Sequence, residues 1–212
     1  MCPDYEIKCW NESNFNINEH PFVRAAYSAK AWAFVSDYAR LKIIYDNGGI
    51  YLDTDVELLK NLDVLRRYKC YIGVQQSGHL CTTGLGFGAE KANPVVKMML
   101  EKYDSIVFDE TKKVNFACPV LNNQVFQSMG YIYNEKKAIE IDGILVLPPK
   151  YLDPIAPGSN MKFLKCVDTI SIHHYSASWM GKHIRLKRKI IRMIGQNHMC
   201  KIKKVIRLFS GI

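Results

Sequence analysis

The chain has 212 residues, 48% of them hydrophobic, and a formal net charge of +9. That suits one domain with a substantial core, or a domain plus an appendage. No run of about 18 apolar residues occurs, so no membrane-spanning helix is expected within this chain, and seven scattered cysteines without Cys-x-x-Cys spacing argue against a zinc site or a disulfide framework.

The charge is unevenly placed. Residues 169–212 hold ten Lys/Arg and no Asp/Glu, whereas the first 168 hold 19 basic against 20 acidic residues. The N-terminus lacks the basic and apolar regions of a signal peptide. The expectation is a cytoplasmic protein with reduced thiols.

Residues 3–10 alternate weakly through Tyr5, Ile7 and Cys9 and read as a strand. Residues 11–21 are polar and turn-rich. Residues 22–45 are helical in pattern, divisible into two helices, with Ser36 as N-cap of the second. Asn47-Gly48-Gly49 supplies a helix stop. A strand is expected at 50–52, then a strand and turn over 56–65 with a short helix from Leu62, and a strand at 71–75. The three glycines of 80–88 suggest a tight, backbone-exposed segment beside a strand. Asn93 caps a helix over 94–103 that has Pro94 at its first position. A helix follows at 121–129, one or two strands at 139–147, a Pro/Gly loop at 151–160 and a strand at 170–174. Two helices are expected at 184–194 and 201–209. The alternation makes the class α/β.

Asp53 and Asp55 end the apolar strand. Side chains two apart on a strand point the same way, so the pair presents two hard oxygen ligands to one point. Mg²⁺-type ions holding a diphosphate use one or two such carboxylates. Asp37 and Arg40, three apart, share a helix face; read alone, they are an ordinary helix-start charge pair. His173 and His174 point to opposite faces of a strand, so at most one faces a site, where a neutral imidazole joins carboxylates in binding Mn²⁺. The plainer reading is one half-buried and one surface histidine. Trp179 is either core or a donor to phosphate oxygens. In the tail, Ile202, Val205, Ile206 and Phe209 follow helical spacing, with Lys203, Lys204 and Arg207 opposite. This is either a membrane-surface helix or one docked on its own domain. Nucleic acid is disfavoured, because the tail lacks interleaved aromatics and the body is not basic.

Together, Ser36-Asp37-x-x-Arg40, Gly48-Gly49-Ile50-Tyr51-Leu52-Asp53-x-Asp55 and His174-x-x-x-Ser178-Trp179 resemble the glycosyltransferases whose sugar-binding region carries an Asp-x-Asp motif (family 32). Pro3-Asp4-Tyr5-Glu6-Ile7 also resembles that family's early strand, so the likeness spans residues 3 to about 180. It implies a GT-A type nucleotide-sugar-binding sandwich with a mixed sheet over residues 1–181, and a basic helical extension over 182–212. It implies a retaining hexosyltransferase with a Mn²⁺ or Mg²⁺ cofactor. The donor would be a UDP- or GDP-hexose. The acceptor would be a glycan or lipid-linked glycan, in surface polysaccharide synthesis. By residue, Asp37, Arg40 and Asp53 would be catalytic. Tyr51, Ser178 and Trp179 would join those three in binding the donor, and Asp55, Asp53 and His174 would hold the metal. Residues 182–212 would place the protein peripherally on an anionic cytoplasmic membrane face.

Family members carry a further strand and aromatic-rich segment before Pro3-Asp4-Tyr5, which helps hold the nucleobase. A chain starting at Met1 suggests the alternative of a truncated, catalytically impaired nucleotide-sugar or membrane-surface binding protein. A haloacid dehalogenase type phosphatase also uses Asp-x-Asp after an apolar strand. That chemistry needs a late acidic pair, and no acid follows Asp168.

Overall fold

In the computed structural model, which describes residues 2–158 and 160–176, the chain enters its core through two helices, α1 (Pro21–Ser28) and α2 (Trp32–Asn47). α2 begins four residues before the expected cap. Ala31 precedes it without a side-chain cap, and Ser36 sits inside the helix, where its oxygens serve Arg40 instead. The expected stop holds. The Gly48 N–H donates to the Ile44 carbonyl at 2.8 Å, and Gly48 (φ 71°) and Gly49 (φ 107°) adopt the positive φ that glycine tolerates. A Cβ on Gly48 would also lie 2.9 Å from the Lys91 backbone nitrogen.

Among the described residues seven strands follow: β1 (Gly49–Tyr51), β2 (Val56–Leu58), β3 (Cys70–Val74), β4 (Cys81–Ala89), β5 (Ile139–Ile141), β6 (Ile144–Leu147) and β7 (Ser171–His173). Between them lie α3 (Pro94–Glu101), α4 (Cys118–Ser128) and α5 (Pro149–Leu152). Five strands form one sheet in the order β1-β4-β3-β6-β5. β3 and β6 are parallel and the other pairs antiparallel, so the sheet is mixed. β2 and β7 form a separate antiparallel ribbon.

The sheet is buried on both faces, as the period of two in its inner strands requires. Ile72 and Val74 of β3 and Ile144 and Val146 of β6 join Phe22, Leu41, Met99 and Phe126 from the helices. Tyr71, Leu145 and Leu147 point the other way, against Leu62, Leu65, Leu152 and Ile170. Asn93 caps α3 as expected, accepting from the Val95 N–H at 3.0 Å.

Several expectations need correction. Residues 5–10 form no strand, and Ile7 is 94% exposed. An alternating pattern makes a strand only where a ladder partner exists, and this stretch has none among the described residues. The glycine-rich segment does not lie exposed beside a strand but forms most of the nine-residue β4, buried almost throughout. Its glycines recur with period two, and the chain following β1 crosses the face they leave bare. A Cβ on Gly84 would lie 2.9 Å from Asp53 Oδ2, and one on Gly86 2.9 Å from Leu52 Cδ2. The 151–160 loop opens with the last turn of α5. The helices expected at 184–194 and 201–209, and the division at residue 182, lie outside the described residues. No described helix is long and apolar enough to cross a membrane.

Asp153, at the end of α5, ties that helix to the segment just past β3. It is fully buried, and its Oδ2 accepts the Gln76 N–H at 2.7 Å, while the Gln76 amide donates to the Asp153 and Lys162 carbonyls. Burial pushes its carboxyl up from 3.8 to about 6. The folded chain therefore holds this proton more tightly than the unfolded chain. Stability from this group is greatest below about pH 4 and declines as pH rises to 6, by up to about 3 kcal/mol. Asp153→Asn should flatten that part of the urea-unfolding profile between pH 4 and 7.

Candidate active site

Ser36, Asp37 and Arg40 lie on one stripe of α2 and face the chain that leaves β1. Arg40 is only 6% exposed, yet it is fully engaged. Its Nε donates to the Ser36 carbonyl at 3.0 Å and its Nη2 to Ser36 Oγ at 3.1 Å. Nη2 also lies 3.1 Å from Asp37 Oδ1, and Nη1 lies 3.3 Å from Asp53 Oδ1. The guanidinium stacks over the Tyr51 ring at 4.7 Å. Tyr51 Oη in turn donates to Asp53 Oδ1 at 2.7 Å. A planar fork of five donors suits such bridging, where an ammonium would not.

This environment perturbs its members in opposite senses. Burial pushes the Asp37 carboxyl up to about 6, against the pull of Arg40. Burial also works against the Arg40 charge, but Asp37, Tyr51 and Asp53 outweigh it and hold the proton more firmly than usual. Burial drives the Tyr51 hydroxyl up to about 12, so it remains a donor to Asp53.

The Asp-x-Asp carboxylates converge by a turn, not by strand alternation. β1 ends at Tyr51, and the Val56 N–H closes back on the Asp53 carbonyl at 3.0 Å. The ribbon then brings in the far end of the chain. Val56 is registered opposite His173, and the His174 N–H donates to the Asp55 carbonyl at 2.9 Å. As a result His173 Nε2 lies 3.0 Å from Asp55 Oδ1 and 3.7 Å from Asp53 Oδ2. Asp55 Oδ2 accepts from the Ser176 N–H at 2.7 Å and the Ser176 hydroxyl at 2.9 Å.

The histidine expected at the metal is therefore displaced by one. His174 points to the opposite face, where its Nε2 lies 2.8 Å from Glu57 Oε2. Adjacent strand residues face opposite ways, and only the register of β2 on β7 decides which turns inward. Burial pulls the His173 imidazole below its ordinary value, although Asp55 and Asp53 pull upward. Burial alone would raise Asp55, but His173 and the two Ser176 bonds outweigh it and hold the carboxyl below its usual range. A neutral imidazole with an ionised carboxylate is the protonation state a metal site requires. One ligand atom each from Asp53, Asp55 and His173 lies within 4.8 Å of the others, and this oxygen and nitrogen set fits Mn²⁺ or Mg²⁺.

Both clusters open onto one cavity of about 430 Å³. Asp37, Arg40, Asp53, Asp55 and His173 line it together with the apolar Trp32, Leu85 and Pro119. Gly84 forms part of the wall. A Cβ there would press on Asp53 Oδ2 and lie 3.3 Å from Arg40 Nη1. Gly84→Ala should cost about 10²-fold in activity through sub-ångström misplacement of Asp53. Its melting temperature should stay within a few degrees, because the displaced atom is the end of a side chain. Ser178 and Trp179 lie outside the described residues.

Sequence reasoning missed His173, Ser176 and Trp32 as site residues. For His173 the only signal was the adjacent-histidine ambiguity, and for Ser176 there was none. Trp32 lies in helical register with Ser36 and Arg40, a spacing that could have found it.

Residues 1–72 match the family described as glycosyltransferase sugar-binding region containing DXD motif. The chain is 26% identical over 111 residues to inositol phosphoceramide mannosyltransferase 3 of Schizosaccharomyces pombe, covering 50% of this chain and 31% of that protein. It is 25% identical over 162 residues to lactosylceramide 4-alpha-galactosyltransferase of Rattus norvegicus, covering 71% of this chain and 42% of that protein. The Mus musculus protein of the same name is 26% identical over 169 residues, with 74% and 45% covered. The chain thus spans less than half the length of these curated relatives. No solved structure matches it significantly. The helix, double-glycine stop and Asp-x-Asp turn all fall inside the matched segment, and in it the chain resembles the DXD sugar-binding region of family 32-type glycosyltransferases.

Proposed function

We propose that this chain is a GT-A type, metal-dependent hexosyltransferase. It moves a hexose from a UDP- or GDP-sugar to a glycan or glycolipid acceptor with retention of anomeric configuration, in surface polysaccharide synthesis. The observation that carries this reading is the placement of the Asp53–Asp55–His173 donors and the braced Asp37–Arg40 pair on the wall of one cavity. Support for a glycolipid acceptor comes from the relatives, whose names specify inositol phosphoceramide and lactosylceramide.

Asp55, Asp53 and His173 would hold the Mn²⁺ or Mg²⁺. When bound, the ion supplies positive charge to offset that developing on the departing nucleoside diphosphate. The remaining work is positioning. Asp53, fixed by Tyr51 and Arg40, accepts hydroxyls of the ribose and donor sugar. Asp37 faces the sugar. Arg40 is spent on protein groups and acts by holding both carboxylates. The bond from C1 to the diphosphate oxygen breaks with its electron pair on the diphosphate. The acceptor oxygen bonds to C1 on the same face, and its proton passes to the departing diphosphate. No protein nucleophile is required. Ser178 and Trp179 would close over the diphosphate, and residues 182–212 would bind an anionic membrane surface on the cytoplasmic side.

The test is nucleotide release by the full chain from UDP-glucose, UDP-galactose and GDP-mannose. The reading expects release from at least one donor that requires Mn²⁺ or Mg²⁺ and stops with a chelator. Donor binding by calorimetry without release would favour an impaired binding protein. Release that persists undiminished in chelator would overturn the metal role.

A further inference from the structure

Trp32 is unusual among the aromatic residues around α2. Phe22 and Tyr38 are buried in the core, whereas Trp32 is 45% exposed and contributes to the wall of the functional cavity. It is not a loose surface ring. Tyr27 of α1 packs against it edge to face, with ring centroids 5.1 Å apart and an interplanar angle of 80°. That contact fixes the indole while leaving much of it uncovered. Pro119, at the start of α4, and Leu85 of β4 line the same cavity, so its wall combines apolar groups with the charged Asp53, Asp55 and His173.

Position along α2 separates Trp32 from the charged groups. Trp32, Ser36 and Arg40 follow one another at four-residue intervals on the cavity-facing stripe. At 1.5 Å per residue, Trp32 lies about 7.5 Å along the helix axis from Asp37, the residue that faces the donor sugar. That is about the width of one pyranose ring. A sugar held against Asp37 and Asp53 therefore leaves Trp32 to the adjoining ring. A pyranose presents one face of C–H groups and a rim of hydroxyls. A fixed, half-open indole covers the apolar face and leaves the hydroxyls to polar neighbours and water.

We propose that Trp32 is the stacking platform for a pyranose of the acceptor saccharide, and thereby a determinant of which acceptor the cavity takes. This rests on the glycosyl-transfer reading of the same cavity and names the second substrate's subsite within it.

The test is binding of the full chain, with Mn²⁺ and UDP or GDP present, to immobilised α- and β-linked hexose disaccharides. The wild-type chain should retain a subset of them. Trp32→Ala should lose that retention by about tenfold or more, and Trp32→Phe, which keeps a ring, should retain most of it. Mn²⁺–nucleotide binding is measured on the same variants, and the loss of saccharide binding should exceed any loss there by about tenfold. Equal saccharide retention by wild type and Trp32→Ala overturns the proposal. So does wild-type retention of no disaccharide, or a parallel loss of nucleotide binding, which would mark a structural role. Failure of donor hydrolysis in the wild type would instead sink the transferase reading, and leaves the disaccharide result to stand or fall separately.

Discussion

Asp55→Asn should lower metal-dependent donor hydrolysis by about 10²–10³-fold, because a weakened metal site withdraws the positive charge that offsets the departing diphosphate. The substitution keeps the shape of the side chain and one oxygen for Ser176, so the fold should survive. What it removes is the negative charge that His173 and Ser176 hold ionised. Mn²⁺ affinity, read by calorimetry without any donor, should fall in parallel. The histidines supply the internal control. His173→Gln should reduce Mn²⁺ affinity, because its Nε2 sits 3.0 Å from Asp55. His174→Gln should not, because that ring is paired with Glu57 on the outer face. Equal losses in both histidine variants would mean that the register of β2 on β7 differs from the one described.

Arg40→Met should be the most destabilising single change in the site. Arg40 is the shared cation of Asp37 and Asp53, and both carboxylates would be left with no positive partner in a poorly solvated place. Breaking a buried pair this way costs about 3–5 kcal/mol. The loss should be larger at pH 8 than at pH 5. Burial already raises Asp37 to about 6 with Arg40 present, and without it the carboxyl would take up its proton more readily still. Urea unfolding at the two pH values measures this. A double variant, Arg40→Met with Asp37→Asn, should recover part of the stability and none of the activity. Arg40→Lys keeps the charge and loses the fork, so it should fall between. If Arg40→Met unfolded at the wild-type urea concentration at pH 8, the brace would not be structural.

Much of the site was legible because its signals are local. The Asp37–Arg40 spacing follows from helix geometry alone, and the double glycine stops a helix wherever it stands. β4 was read as an exposed segment beside a strand because three glycines within five residues weaken a strand pattern. Here they signal a strand whose bare face admits another segment, a use that becomes visible only when Leu52 and Asp53 are seen against it. Ser36 looked like a cap because a cap and a mid-helix serine look alike in one dimension. Its hydroxyl serves Arg40 one turn later.

The sequence by itself determined the two carboxylates, the charge pair on the preceding helix and the mixed α/β character. Each depends on contacts within a few residues, where period and turn chemistry suffice. Only the tertiary structure decided which histidine completes the cluster. That choice depends on pairing Val56 with His173 across more than a hundred residues, and a slip of one position would exchange the two rings. The same holds for Arg40. Sequence places it near Asp37, but only the fold makes it a bridge to Asp53 and turns a surface-type ion pair into the brace of the site.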